Sequence, residues 1–223
     1  MSQATGSELA TLAAALGDAV TPALAEQLML YLDLLARWNG TYNLTAVRSR
    51  NGMLLQHLAD CLAVVQPLRK HLHKHWHSMP APVRLLDVGS GGGLPGVVLA
   101  ACMPALQVTC VDTVAKKAAF VRQVAAELAL PNLYSAHSRV ETLNAPAFQL
   151  IASRAFASLA DFTRLTGSLL APDGTWLAMK GKPPEAEIAA LPSALEVFHV
   201  EPLQVPGLDA QRCLVWIRNR KLE

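Results

Sequence analysis

The chain has 223 residues, 52% of them hydrophobic, which suits one α/β domain or one such domain with a helical extension. Its 19 basic and 17 acidic residues leave a formal net charge of only +2, so a nucleic-acid site has to come from local clustering of cations. Basic residues begin only at Arg37, which excludes an ordinary signal peptide. Four widely spaced cysteines without metal-ligand spacing predict reduced thiols and a cytoplasmic protein: Cys61, Cys102, Cys110 and Cys213.

Three helices are predicted in residues 1–66. The first covers about Ser7 to Gly17. The second runs from Pro22 to Trp38, capped by Thr21 and ended by Asn39-Gly40. The third covers about Asn51 to Val65. We expect these helices to form a small cap packed against a sheet.

Residues 67–82 are interpreted as a linker. In an extended chain the alternating imidazoles of HLHKHWH would share one face, a geometry capable of holding a metal. We favour a solvated segment and predict no native metal site. The histidines concerned are His71, His73, His75 and His77.

The stretch LLDVGSGGGLPGVVLA, from Leu85 to Ala100, predicts a strand, a tight loop and a helix. Five glycines within eight positions indicate a backbone that turns sharply and closely approaches a ligand. Gly91, Gly93 and Gly96 also satisfy G-x-G-x-x-G, which keeps a nicotinamide-dependent oxidoreductase open as an alternative. Asp87 argues against a pyrophosphate and favours S-adenosylmethionine, which has an ammonium, a sulfonium and a ribose but no phosphate.

The remaining chain predicts alternating strands and helices, and hence a parallel sheet with right-handed crossovers. The uncharged run from Val88 to Val111 is long enough for a membrane span, but its glycines and prolines forbid a continuous helix, so no membrane segment is predicted. The predicted strands are Gln107–Asp112, Asn132–Ala136, Gln149–Ser153 and Thr175–Met179, the helices Val114–Leu130 and Leu159–Leu170, and the closing hairpin Glu196–Val200 with Cys213–Arg218.

Six blocks carry a resemblance to a known family: WNGTYNLTAV, DVGSGGGLPG, VDTVAKKAAFVRQV, SRVE, SRAFASL and MKGK. In this order they resemble the RsmG (GidB) family of bacterial 16S ribosomal RNA guanine-N7 methyltransferases, over most of Arg37 to Lys182. The resemblance implies an α/β fold: a Rossmann-like, seven-stranded class I methyltransferase sheet with a small N-terminal helical cap. Residues 83–223 would then be the S-adenosylmethionine-dependent methyltransferase domain.

Ligands of open parallel sheets bind beyond the carboxyl ends of the strands. The residues that should converge there are Asp87, the glycine loop, Asp112, Arg139 to Glu141, and Ser153-Arg154. Asp112 is interpreted as a grip on ribose hydroxyls, as a helix cap for Val114 onward, or as both. The resemblance implies that Gly89 and Leu94 line the methionine end, that Val140 and Glu141 line the adenine, and that Arg154 reaches the cofactor or the target nucleotide. The candidate cofactor-binding residues are Asp87, Gly89, Gly91, Gly93, Leu94, Asp112, Val140, Glu141 and Arg154, and the candidate catalytic residues are Arg154 and Arg139, the latter alternatively a salt-bridge partner of Glu141.

The chain lacks the devices of two other methyltransferase classes. Exocyclic amine methylation usually uses an Asn/Asp-Pro-Pro-aromatic turn after the fourth strand, where this chain has SRAFAS. Carbon methylation of cytosine needs a nucleophilic cysteine, usually one that follows proline, and no cysteine here follows proline. Guanine N7 needs neither, because its lone pair is free and only in-line alignment is required.

RNA contacts are expected from cations around the cofactor mouth, with a ring to stack an unpaired base. Phe156 is a candidate ring, although a core role is favoured, and Trp38 and Tyr42 are interpreted as packing. His57 and Asp60 resemble the family's His-x-x-Asp-Ser motif with Cys61 in place of serine, and a hydrogen-bonded helical histidine is favoured there. The basic candidates are Arg48, Arg50, Lys116, Lys117, Arg122, Arg139, Arg154, Lys180 and Lys182, with the histidines beside Arg69, Lys70 and Lys74 as a further set.

The resemblance implies transfer from S-adenosylmethionine to N7 of a guanine in the 530-loop region of 16S ribosomal RNA, in the small subunit or its precursor. We expect a monomer that uses neither DNA nor a membrane. The alternative is a non-catalytic RNA-binding or ribosome-assembly factor, and an oxidoreductase is less favoured.

Overall fold

A computed structural model of the protein describes residues 5–76, 82–154 and 156–221. Within them, seven strands form one sheet: β1 (Arg84–Val88), β2 (Gln107–Asp112), β3 (Leu133–His137), β4 (Phe148–Ser153), β5 (Leu170–Lys180), β6 (Leu195–Leu203) and β7 (Arg212–Asn219). The strand order is β3-β2-β1-β4-β5-β7-β6. Strands β1 to β5 pair in parallel, and β7 pairs antiparallel with β5 and β6. The predicted parallel sheet with a closing hairpin is therefore confirmed.

The helices flank this sheet on both faces. Their bounds are α1 (Gly6–Leu16), α2 (Pro22–Tyr42), α3 (Arg50–Met53), α4 (Asp60–Leu62), α5 (Val65–Trp76), α6 (Gly96–Cys102), α7 (Ala115–Glu127), α8 (Leu159–Thr166) and α9 (Glu185–Ala189). A π-helical turn, Leu54–Ala59, joins α3 to α4. Short 3₁₀ turns cover Gly17–Ala19, Val140–Thr142 and Gly167–Leu169. Strand β5 begins five residues earlier than predicted, at Leu170, because the preceding helix gives way to a 3₁₀ turn.

Helix α2 continues past the predicted stop at Asn39-Gly40 and ends at Tyr42. The Asn39 side chain is buried, accepts a hydrogen bond from the Thr45 backbone (2.8 Å) and donates one to the Val47 carbonyl (3.0 Å). The amide therefore holds the loop that follows the helix. Asn43, with a left-handed φ of 51°, ends the helix instead.

The interpretation of residues 67–82 as an extended linker is wrong for residues 67–76, which lie in α5. Leu68 is buried and Leu72 packs on the core, so the helix is stabilised by an apolar face that sequence alternation does not reveal. His71 and His75 consequently share one face, with ring centroids 4.5 Å apart, whereas His77 lies outside the described residues. In the described part of the chain, no group of three His, Cys, Asp or Glu side chains is arranged to hold a metal ion.

The N-terminal helices share one hydrophobic core with the sheet. Buried side chains of α2, such as Leu28 and Leu32, belong to the same cluster as Val98 of α6 and Phe120 of α7. A second cluster on the other face packs Phe162 of α8 against the sheet. Each fully buried leucine or phenylalanine contributes roughly 1.5–3 kcal/mol, so the cap is held firmly over the sheet. Across the described ranges, the structure contains no helix with the length and apolar character that crossing a bilayer requires.

Candidate active site

Asp87 lies beneath the glycine-rich loop, at the carboxyl half of β1. Its side chain is 0% exposed, and its Oδ2 accepts hydrogen bonds from the Gly96 backbone (2.8 Å) and the Cys110 thiol (3.8 Å). Burial raises the pKa of this carboxyl from 3.8 to about 7. Oδ1 has no partner among the described residues, which leaves a buried acceptor at this point. Asp87 therefore supports the loop from behind.

The loop presents backbone to the space in front of it. Gly89 and Gly91 have φ of +67° and +58°, and a Cβ added to Gly89 would meet no atom within 4 Å. A left-handed backbone with open space ahead is what a ligand cradle requires. The Tyr31 hydroxyl of α2 donates a hydrogen bond to the Gly92 carbonyl (2.8 Å), so the cap fixes the loop from its other side.

Asp112 ends β2 and is hydrogen-bonded through both carboxylate oxygens. Oδ2 accepts from the Gly91 backbone (3.0 Å) and Oδ1 from the Val114 backbone (2.9 Å), where α7 is about to begin. Lys117 Nζ lies 3.7 Å from Oδ2. Val114 is itself the N-cap residue of α7, and this N-cap has no side-chain hydrogen bond, so the helix-cap interpretation of Asp112 is wrong. The ribose contact stays a prediction.

Three cavities lie along the carboxyl edge of the sheet, and shared lining residues join them. The strand-end cavity, about 360 Å³, is lined by Asp112, Val140, Glu141 and Phe156 among others. It shares Gly89 and Lys117 with the loop cavity, about 170 Å³, which runs along the glycines and Leu94. The loop cavity shares His57 and Arg154 with the cap cavity, about 360 Å³, which reaches Asp60, Lys180 and Arg212. Together they form one cleft, which brings the predicted cofactor residues together with two exceptions. Asp87 lies behind the cleft, and Gly93 is buried against Val97 of α6, where a Cβ would clash.

Arg154 follows β4 and joins the sheet to the cap. Its Nη1 donates to the Gln56 carbonyl (3.1 Å) and lies 3.4 Å from Asp60 Oδ2. Asp60 Oδ1 accepts in turn from Nε of Arg212, at 2.8 Å. Asp60 is only 4% exposed, so one buried carboxylate neutralises part of the charge of two guanidinium groups.

His57 bridges the same network to the loop after α2. Its Nε2 is 2.6 Å from Thr45 Oγ1, and its Nδ1 is 3.0 Å from the Gln56 carbonyl. Burial first, and then the charge of Arg154, lower the pKa of this imidazole. A proton on Nδ1 with Nε2 as acceptor satisfies both contacts. The favoured interpretation of a hydrogen-bonded histidine is confirmed, although its partner Thr45 lies outside the helix.

The predicted RNA-binding cations occupy different settings. Lys180 forms an ion pair with Glu187 (2.9 Å), and Arg50 is paired with Glu8 and Asp33, so both have structural partners. No ion pair links Arg139 to Glu141 within the described residues. The other candidates line the cleft or face solvent: Arg48, Lys116, Lys117, Arg122, Arg139 and Lys182.

Sequence reasoning missed three residues of the site. Tyr31 was indistinguishable from the other members of an apolar helical stripe, and its hydroxyl gave no local signal. Arg212 lies 152 residues from Asp60 in the chain, so only folding brings the two together. Thr45 belongs to the YNLT block, whose specificity to the family was the available signal.

Comparison with known proteins places this geometry in a family. The family model described as GidB, rRNA small subunit methyltransferase G, matches residues 24–215. The chain belongs to this family. A "Ribosomal RNA small subunit methyltransferase G" from Leptothrix cholodnii is 57% identical over 210 residues, covering 94% of each chain. One of the same name from Polaromonas sp. is 58% identical over 199 residues, covering 89% of this chain and 87% of the relative.

Solved structures show the same fold at low identity. TrmN from Thermus thermophilus is 19% identical with a TM-score of 0.55, covering 75% of this chain and 53% of its own. A ribosomal protein L11 methylase from Lactobacillus delbrueckii subsp. bulgaricus is 16% identical with a TM-score of 0.51, covering 78% and 80%. The predicted class I methyltransferase fold is confirmed. Family membership likewise confirms the predicted enzyme class, a methyltransferase that uses S-adenosylmethionine.

Proposed function

We propose that this methyltransferase acts on N7 of a guanine in 16S ribosomal RNA, by direct in-line transfer without a covalent intermediate. The observation that carries the proposal is the continuous cleft, in which Arg154 is shared by the loop cavity and the cap cavity. One end of such a cleft suits the methyl donor and the other end suits a base, with Arg154 between them.

The residues of the strand-end and loop cavities fit S-adenosylmethionine. Asp112 would hold the ribose hydroxyls, since each of its oxygens has lone-pair capacity beyond the one backbone hydrogen bond it accepts. Val140 and Glu141 would border the adenine, and the bare backbone at Gly89 and Gly91 would admit the methionine end. When bound, S-adenosylmethionine supplies an electrophilic methyl group carried on its sulfonium.

The cap cavity would take the target base. Guanine N7 has a free lone pair at neutral pH and no proton to lose, so the enzyme needs no general base, and His57 is assigned no proton transfer. The chain's contribution is alignment. Arg154 would hold the nucleotide in place through its donors, which pair well with guanine and phosphate acceptors.

Asp60 makes this arrangement compatible with the charge change of the reaction. N7-methylated guanine carries positive charge, so an unpaired guanidinium nearby would oppose its formation. The Asp60 carboxylate, 3.4 Å from Arg154, offsets that repulsion. We assign Asp60 as a positioning and charge-balancing residue. Arg139, exposed at the rim of the strand-end cavity, is better suited to hold RNA than to take part in transfer.

The proposal includes the cellular setting. The enzyme would work as a monomer in the cytoplasm, on the small ribosomal subunit or its precursor, at the decoding-centre stem–loop. The exposed cations Arg48, Lys116 and Arg122 would contact RNA around the cleft.

The test uses small subunits from cells that lack this gene. Purified protein is incubated with them and with methyl-tritiated S-adenosylmethionine, and the RNA is digested and analysed by mass spectrometry. We expect label in 7-methylguanosine at one site, and loss of that nucleoside from cells without the gene. Label in another nucleoside would overturn the N7 assignment. Binding without any transfer would favour an assembly factor.

A further inference from the structure

A second cleft lies at the amino ends of the parallel strands, opposite the carboxyl ends where the candidate active site lies. Strand β7 runs antiparallel to β5 and pairs Cys213 with Lys180 and Ile217 with Trp176. The residues after Ile217 therefore lie at the amino end of β5, roughly 17 Å along the strand from Lys180. There, a cavity of about 610 Å³ opens between this end of the sheet and α5. We name it the far-edge cleft and define it by Lys74, Trp76, Phe198, Arg218, Arg220 and Lys221.

Cations dominate the walls of the far-edge cleft. Arg218 pairs with Glu196 (3.0 Å), and Lys221 lies 3.8 Å from Asp173. Lys74 and Arg220, by contrast, pair with no carboxylate among the described residues. Lys74, Arg218, Arg220 and Lys221 all line this one cavity, so four cations converge on one place. For a chain of net charge +2, this is a pronounced local concentration of positive charge.

The floor of the cleft is aromatic. The His71 ring lies 4.5 Å from Trp216 and 5.2 Å from Trp76, measured between centroids, and stacks on Phe198 at 6.1 Å. The guanidinium of Arg218 lies over the Phe198 ring at 4.9 Å. His71 Nε2 and Trp216 Nε1 are buried and have no hydrogen-bond partner among the described residues. The rings therefore hold one another in a fixed arrangement, with Trp76 and Phe198 partly buried against the core.

We propose that the far-edge cleft is a second RNA contact, which holds an unpaired segment of the ribosomal RNA away from the target guanine. Lys74, Arg220 and Lys221 would neutralise phosphates, and Trp76 would offer a face to a splayed base. Cations interleaved with rings are the combination that single-stranded nucleic acid uses. An acidic peptide, by contrast, would contact the cations but would have no use for the aromatic rings. The inference rests on the proposed RNA substrate. It adds a second contact that only an RNA long enough to reach the far-edge cleft could make.

The experiment compares two double variants of the full chain with matched charge change. Lys74→Glu/Lys221→Glu alters the cleft, and Arg37→Glu/Arg164→Glu alters exposed cations outside it. Affinity for complete 16S ribosomal RNA is measured by filter binding over a salt series, and binding of S-adenosylhomocysteine by calorimetry reports an intact fold. We expect the cleft variant to lose at least tenfold in RNA affinity at low salt, with a salt slope reduced by about 1 to 2.

A third variant tests the aromatic floor. Trp76→Ala should lower RNA affinity about tenfold while leaving the salt slope unchanged, because stacking releases no counterions. Unchanged affinity in the cleft variant, or an equal loss in the control variant, would overturn the proposal. These arms measure binding alone. If the wild-type protein methylates no small-subunit RNA, the proposed function fails while the binding result still decides whether the cleft holds RNA.

Discussion

Arg154 and Asp60 lie 94 residues apart in the chain, and their side chains meet at 3.4 Å across the junction of the sheet and the cap. Arg154 comes from the carboxyl end of β4, and Asp60 from the helix that follows the π-helical turn. Because Asp60 also binds Arg212 of β7, the carboxyl edge of the sheet is complete only when the cap is docked. The charges of the site and its shape therefore depend on the same contact.

Arg154→Ala should reduce methyl transfer at least 100-fold while the protein stays folded. The side chain lines both cavities in which donor and base are proposed to meet, and misalignment there removes most of the advantage of a bound pair. Single-turnover transfer to small subunits measures the effect. Arg164→Ala, at a side chain 68% exposed, is the control. Normal transfer by Arg154→Ala would remove this residue from the site.

Asp60→Asn should lower both stability and transfer. Two guanidinium groups, each about a quarter exposed, would lose their shared counter-charge, so the free energy of unfolding should fall by about 2–4 kcal/mol. Transfer should fall at least tenfold, because Arg154 would be left uncompensated beside the base. Urea denaturation and single-turnover kinetics measure the two effects. Arg212→Met, which leaves the Arg154 pair intact, should lose less transfer than Asp60→Asn, and the reverse order would contradict the charge-balancing role.

Asp112→Ala should weaken S-adenosylmethionine binding at least tenfold. The variant loses a ribose acceptor and also releases the Gly91 backbone, which Asp112 holds at 3.0 Å. Calorimetry with S-adenosylhomocysteine is the measurement, and Asp173→Ala, at an exposed carboxylate, is the control. Unchanged affinity would mean that the ribose lies elsewhere.

Gly89→Ala should mainly lose cofactor binding, whereas Gly96→Ala should mainly lose stability. A Cβ on Gly89 meets no protein atom within 4 Å, so the variant should fold, at a cost of about 1–2 kcal/mol for its left-handed φ, and lose cofactor binding. A Cβ on Gly96 would clash with the Cys110 sulfur and lie 2.9 Å from Asp87 Oδ2, so that variant should be destabilised more strongly. Thermal unfolding and calorimetry separate the two. Gly181→Ala, at an exposed glycine with open space around it, is the control, and a stable Gly96→Ala protein would refute the packing argument.

Asp87 should make stability fall as pH rises from about 4 to about 7. Its folded pKa is raised by burial from 3.8 to about 7, so in this range the folded protein keeps a proton that the unfolded chain has released. The contribution amounts to at most about 4 kcal/mol and is lost once pH exceeds the folded pKa. Asp87→Asn lacks this titration. The unfolding free energy of the wild type minus that of the variant should therefore fall as pH rises over this window. A difference that does not change with pH would contradict the raised pKa. Histidines that titrate in both proteins cancel in the comparison.

Local features of the sequence determined the strands and the glycine cradle. Strand β2 has the bounds that its apolar pattern predicts, and the glycine loop lies where strand and helix meet, because backbone preference and burial periodicity act over a few residues. The contact of Asp112 with the Val114 backbone is local for the same reason, since a side chain two residues before Val114 reaches its backbone without help from the fold.

Tertiary structure alone decided what lies beyond that range. The spacing of Leu68, Leu72 and Trp76 is compatible with a helix, whereas the alternation of the histidines is compatible with an extended segment. Packing of Leu68 and Leu72 on the core decides for the helix. Asp60 meets Arg154 and Arg212 only through the docking of the cap, and the far-edge cleft exists only because β7 returns antiparallel to β5. Contacts between residues a hundred positions apart depend on how faces pack, and packing is a property of the whole chain.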